Sequence, residues 1–188
     1  MIGDAPLYAF DHDRLLKAAA RVVAEREAGY PQLVTEGKLT EQAAADGIRA
    51  ARAIAADWQR IVDLGAGRAA EPLDNSATRE EKRAVLVHVA GRCQRKLQAT
   101  RDALHRALND DCLRAIEADV MTREALHEAW KRRWPGYDLG EIGLFLAAEQ
   151  RAWAADAMLW HIDLTPSAMF YAELNAEWRA GRRASEAA

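Results

Sequence analysis

The sequence predicts an all-α protein of six or seven helices, a helical hairpin followed by a bundle, with no sheet. Three observations carry this expectation. Apolar residues recur at spacings of three and four along nearly the whole chain, the repeat of one helix face. Only 5 prolines and 11 glycines punctuate 188 residues, too few for a strand-and-turn architecture. Half the residues are hydrophobic and 29% are charged, a balance that excludes a disordered chain and supplies a core.

The first helix starts at Asp11 or Asp13, whose carboxylates can cap exposed amides, and carries the apolar stripe Leu15, Ala19, Val22 and Val23. Gly29 followed by Tyr30-Pro31 reads as its end, which leaves Pro31 to Leu39 as a short linker around Gly37. Thr40 caps a second helix with Glu41 in its first turn. Its buried face is Ile48, Ala51, Ile54 or Ala55, Trp58, Ile61 and Val62. Gly65 to Asn75 is the longest irregular stretch and the natural joint between two halves. Asn75 or Ser76 opens a long third helix with the seam Leu86, Ala90, Cys93, Leu97, Thr100, Leu104 and Ala107, a pattern suited to lengthwise packing in a bundle.

Asn109-Asp110-Asp111 breaks that helix and caps a short one through Val120, and Thr122 caps another ending at Trp134. A helix from about Gly140 to His161 is apolar on nearly every side and reads as the buried centre of its domain. Thr165-Pro166 starts the last, which ends near Gly181. The expected organisation is a hairpin over residues 1–64, a linker over 65–75, a bundle over 76–181 and a tail over 182–188. A single domain is the alternative.

The stretch from Arg21 to Trp58 carries Tyr30-Pro31-Gln32-Leu33-Val34, then Glu36-Gly37-Lys38-Leu39-Thr40, then Ala53-Ile54. It resembles small uncharacterised helical proteins of phages and prophages, which show a YPxxVxxGxLT turn between two helices. The resemblance covers residues 21–58 and implies a phage or prophage origin. It brings no activity and no catalytic residue with it.

The expected compartment is the cytoplasm. The segment Met1 to Asp13 holds three aspartates and no basic cluster, unlike a signal peptide, and no apolar run reaches the length of a membrane span. The two cysteines, Cys93 and Cys112, lack a CxxC partner and read as reduced thiols. No membrane partner is expected.

Several constellations bear on chemistry. Asp102-Ala-Leu-His105 and Glu124-Ala-Leu-His127 have the spacing that places a carboxylate and an imidazole on one helix face, as di-iron bundles require. They make Asp102, His105, Glu124 and His127 the candidate metal ligands, with Glu149 a further carboxylate. The two motifs lie closer in sequence than neighbouring full-length bundle helices place them, so surface histidines are the simpler reading. No cofactor is expected. A GxSxG nucleophile turn and a phosphate loop after a strand are both missing from the sequence, and His88 and Cys93 lie on different helix faces. The expectation is a protein that is not an enzyme.

Charge is uneven. Residues 79–106 hold Arg79, Lys82, Arg83, Arg92, Arg95, Lys96, Arg101 and Arg106 against Glu80, Glu81 and Asp102. Arg92, Arg95 and Lys96 share one helix face and are the candidate phosphate-binding residues, unless the basic helix pairs with acidic neighbours. Helix-turn-helix readings at Ala43 to Ile48 and at the Val120-Met121-Thr122 joint are minor alternatives, the first because Asp46 falls where an apolar residue belongs and the pattern runs on as one helix, the second because its following helix mixes Glu124 and Glu128 with basic residues. Five of the six tryptophans fall at or after Trp130. Most read as core, while Trp134 and Tyr137, beside Pro135-Gly136, are the candidate partner-binding residues.

The expectation for function is a helical accessory or regulatory protein that docks on a protein partner or on itself. Nucleic-acid binding through residues 79–106 is the alternative, and a metal-binding bundle is a distant third.

Overall fold

The computed structural model describes residues 5–72, 75–107 and 140–163. Among these residues the protein is all-helical, with α1 (His12–Thr35), α2 (Glu41–Gly65), α3 (Arg79–Ala107), α4 (Gly140–Asp163) and no strand. The helices expected over 110–120, 122–134 and 165–181 lie outside the described residues. No described helix is long and apolar enough to cross a membrane.

α1 begins where an aspartate can cap it. Asp11 accepts from the Arg14 amide at 3.1 Å and from Arg14 Nε at 3.0 Å. Leu15, Ala19 and Val22 are buried as the stripe requires, and Arg26 joins them. The end of α1 departs from expectation. Gly29 and Pro31 do not stop it; the helix runs through Pro31 to Thr35. A proline inside a helix removes one backbone bond and costs about 3 kcal/mol. Here the neighbouring turns are anchored: Arg26 lies 5.2 Å from the Tyr30 ring centroid and donates to the Gly47 carbonyl across the hairpin at 3.3 Å. Leu33 and Val34 are half-buried beyond the proline.

The true stop is Gly37. Its φ of 68° lies in the left-handed region, its amide bonds the Val34 carbonyl at 2.9 Å, and the Lys38 amide bonds the Leu33 carbonyl at 2.9 Å. This is a Schellman cap, which settles the orphan carbonyls of the last turn. The end of α2 repeats it: Gly67 at φ 70° bonds Leu64 at 3.0 Å and Arg68 bonds Asp63 at 2.9 Å.

α2 opens as expected, with Thr40 Oγ1 accepting from the Ala43 amide at 3.1 Å. It is one continuous helix, without the bend a helix-turn-helix needs. Ala51, Ile54, Trp58 and Ile61 are buried, while Ile48 and Val62 are half-buried. α1 and α2 pack antiparallel, with Glu27 and Arg52 paired at 2.5 Å and His12 lying 6.0 Å from Trp58 between ring centroids.

α3 opens at Arg79, later than Asn75 or Ser76 suggested. The cause is a capping box. Thr78 Oγ1 accepts from the Glu81 amide at 3.2 Å, and Glu81 returns a carboxylate to the Thr78 amide at 2.7 Å. Along α3 the expected seam is confirmed at Leu86, Ala90, Thr100 and Leu104, which are buried, with Cys93 and Leu97 half-buried. α4 buries Phe145, Ala148, Ala152, Ala154, Ala155, Ala157 and Met158, while Leu144 stays 54% exposed.

The chain forms two compact units, and α3 and α4 contribute to both. The first holds α1, α2, α3 up to Ala90 and α4 from Trp153. Its core includes the fully buried Leu15, Ile61 and Met158. The second holds α3 from Gly91 and α4 up to Ala152, where Leu104 and Phe145 form a small core with Leu97 and Leu146.

Candidate functional site

The basic segment predicted to bear phosphate chemistry divides into two kinds of residue. At its start every basic side chain is held by a neighbour within the first unit. Arg79 donates to the Ile162 carbonyl at the end of α4, through Nη2 at 2.6 Å. That is where a helix presents unsatisfied carbonyls and a partial negative charge. Arg83 pairs with Asp163 on the same helix end. Lys82 reaches Asp57 on α2 at 2.7 Å, with side chains only 12% and 10% exposed.

From Gly91 onward the pattern changes. At 100° per residue, Arg92, Arg95, Lys96 and Arg106 fall within about a third of the helix circumference, centred roughly 110° round from the seam of Thr100 and Leu104. All four are exposed, and so is Arg101 on the far side of the helix. Among the described residues Arg95, Lys96 and Arg106 make no ion pair. Ala99 lies between them, so no bulky side chain divides the stripe. One carboxylate, Asp102, borders it and accepts from Gln98 Nε2 at 2.8 Å. From Arg92 to Arg106 the stripe runs about 21 Å along the helix. Its arginines offer planar donor forks to successive anionic oxygens, and Lys96 adds a point charge.

A second constellation escaped the sequence reading. In the first unit, Trp58 of α2 meets His161 of α4 at 5.0 Å between ring centroids, with planes at 78°. Trp160 packs its own edge on His161 at 4.9 Å. His12 of α1 completes the cluster beside Trp58, and the Asp57–Lys82 pair adjoins it in sequence. His161 is 3% exposed. Burial pushes its imidazole below the usual range, outweighing the bond to the Ala9 carbonyl, which acts in the opposite sense. The clue in the sequence was spacing: His161 lies three and four residues after the buried Met158 and Ala157. His12 likewise lies three residues before the buried Leu15. Such positions mark an imidazole that faces the core.

A third set of charges staples α2 to the start of α3. Arg49 pairs with Glu81 at 2.5 Å and with Asp46 at 3.1 Å, and also binds the Ser76 carbonyl. The Arg49 guanidinium, helped by the Thr78 amide, holds the Glu81 carboxyl down to about 2. These groups are solvated, so the shift marks geometry more than stability.

Of the metal candidates, Asp102 is exposed and bonded to Gln98, while the His105 side chain lies outside what the structure describes. Glu124 and His127 lie outside the described residues, as do the partner-binding candidates Trp134 and Tyr137. Among the described residues no group of three or more His, Cys, Asp or Glu side chains is placed to hold a metal ion. Compared with family models, curated proteins and solved structures, the chain matches none.

Proposed function

We propose that this is a helical accessory protein that acts by binding rather than by catalysis, and that its binding face is the basic stripe of α3, directed at the phosphates of a nucleic acid. The observation that carries the reading is the division within α3. The basic residues from 79 to 83 are held by carboxylates and a carbonyl, whereas Arg95, Lys96 and Arg106, exposed on one face with Arg92, make no ion pair among the described residues. Exposed cations fixed on a rigid helix lose less freedom on engaging phosphates than cations on a loop, and each contact releases a counterion.

The test is fluorescence anisotropy of labelled duplex and single-stranded oligonucleotides against the full chain. Three phosphate contacts predict a roughly 40-fold loss of affinity between about 50 and about 200 mM salt. Reversing Arg92, Arg95 and Lys96 to glutamate together should remove binding and leave the melting temperature unchanged. Absence of binding at low salt, or binding that survives the triple reversal, sinks the reading.

A second reading, docking on a protein partner, has its own observation. Leu7 and Phe10 lie three residues apart ahead of α1 and are 46% and 51% exposed. Apolar side chains of this size held at a surface are the raw material of an interface anchor. A partner that survives nuclease treatment in a pull-down and is lost on Phe10→Ser would favour this reading.

A further inference from the structure

We propose that residues 5–10 form a strap closed over α4 by neutral His161 and released when that imidazole takes up a proton, which uncovers the Trp153 and Trp160 edges of the helix. The proposal rests on neither binding reading.

The strap is a turn whose two aromatic side chains meet α4, with Arg14 of α1 lying 4.0 Å over the Tyr8 ring. The Ala9 amide bonds the Pro6 carbonyl at 3.0 Å and the Asp11 amide bonds Tyr8 at 3.0 Å. Tyr8 meets Trp153 edge-on at 5.7 Å, and Phe10 meets Trp160 edge-on at 6.4 Å. Ala9 between them is buried. The anchor is polar. His161 Nε2 lies 2.7 Å from the Ala9 carbonyl oxygen. A carbonyl only accepts, so Nε2 carries the proton and Nδ1 keeps the lone pair.

Nδ1 is buried and has no hydrogen-bond partner among the described residues. Protonating it in the closed strap would place a cationic N–H where no acceptor waits, at a large desolvation cost. In the open strap the ring is hydrated and titrates near its ordinary value of about 6.5. The open form therefore binds the proton more tightly, and acid drives opening. Strain points the same way. Tyr8 has a φ of 72°, in the left-handed region that non-glycine residues avoid, so the strap relaxes when the anchor goes.

The surrounding charges are engaged elsewhere. On α1, Asp11 pairs with Arg14, and His12 packs near Trp58. On α2 and α3, Asp57 pairs with Lys82, and Arg49 with Glu81. Arg79 binds the Ile162 carbonyl and Arg83 pairs with Asp163, the acidic residue nearest to His161 in sequence. Asp156 lies further back on α4, half-buried. His12 is the one other imidazole in the cluster and is the necessary control.

The experiment is hydrogen exchange of the full chain between about pH 7.5 and about pH 5, read by mass spectrometry and corrected for intrinsic exchange. The opening constant of the strap amides should rise by up to about tenfold per pH unit below about 6.5, then level off. Amides of the α2 core around Ala51 and Ile54 should stay protected throughout. His161→Gln should flatten the dependence, and His12→Gln should preserve it. A strap that opens equally at both ends of the range overturns the proposal. So does one that opens in step with α2, or one that stays acid-sensitive in His161→Gln. If that variant does not fold, the wild-type imidazole titration by NMR decides. A His161 midpoint that tracks strap opening supports the latch, and one that does not defeats it.

Discussion

The two halves of α3 carry the same kinds of basic residue and use them differently. Between Arg79 and Ala90 the cations are structural: one pair is nearly buried, one closes on the end of α4, and one satisfies a carbonyl there. Between Gly91 and Ala107 four of the five cations share one exposed face while apolar residues fill the seam. Composition cannot separate these roles, because a charge run looks alike whether its partners come from other helices or from solution. Only the packing of α2 and α4 against the front half decides it. The lesson is that a basic helix must be divided before it is interpreted.

The sharpest way to break the comparison is at Asp57. Asp57→Ala leaves the Lys82 ammonium in a nearly dry site, and loss of one partner of a buried pair costs about 3–5 kcal/mol. Urea unfolding should show that loss. The double variant Asp57→Leu with Lys82→Met should recover most of it, because removing both charges removes the desolvation penalty. In the back half, Arg95→Ala and Lys96→Ala should each change stability by no more than about 0.5 kcal/mol, while each weakens oligonucleotide binding several-fold. A large stability loss there would make the two halves alike.

Smaller effects sharpen the boundary. Thr78→Ala removes one arm of the capping box and should cost about 1 kcal/mol, seen as a lower urea midpoint with an unchanged slope. The smallest effect is in pH. Glu81 is held down to about 2 when folded, against an ordinary value near 4.5. Its pairing with Arg49 therefore contributes above about pH 4.5 and is lost as pH falls through about 2. A pH series of melting temperatures should show the acid-side decline partly flattened in Glu81→Gln.

Much of the helical plan was legible in the residues, for a local reason. Asp11, Thr40 and the apolar face from Ala51 to Ile61 depend on neighbours within a turn or two, and periodicity reports those directly. The end of α1 was misread because Pro31 is a strong local breaker that tertiary contact overrides: Arg26 and Tyr30 of α1 hold that turn against Gly47 of α2. Thr78 and Glu81 did spell a capping box, but Asn75 and Ser76 offered competing caps nearby. The candidate site was half legible. The basic face follows from spacing at Arg92, Arg95 and Lys96. The meeting of His12, Trp58 and His161 joins three helices distant in sequence, and no local pattern encodes which helices meet.

The matched helix ends have a consequence of chirality. At Gly37 and Gly67 the backbone adopts a conformation natural to a residue of opposite hand, and a Cβ built at either position meets nothing within 4 Å. An L-alanine there would be strained by its own backbone despite the open space. A D-alanine introduced by chemical ligation would adopt this backbone without that strain and would restrict the unfolded chain. The hairpin of α1 and α2 thus offers two places where a mirror-image residue should raise the melting temperature through the backbone alone.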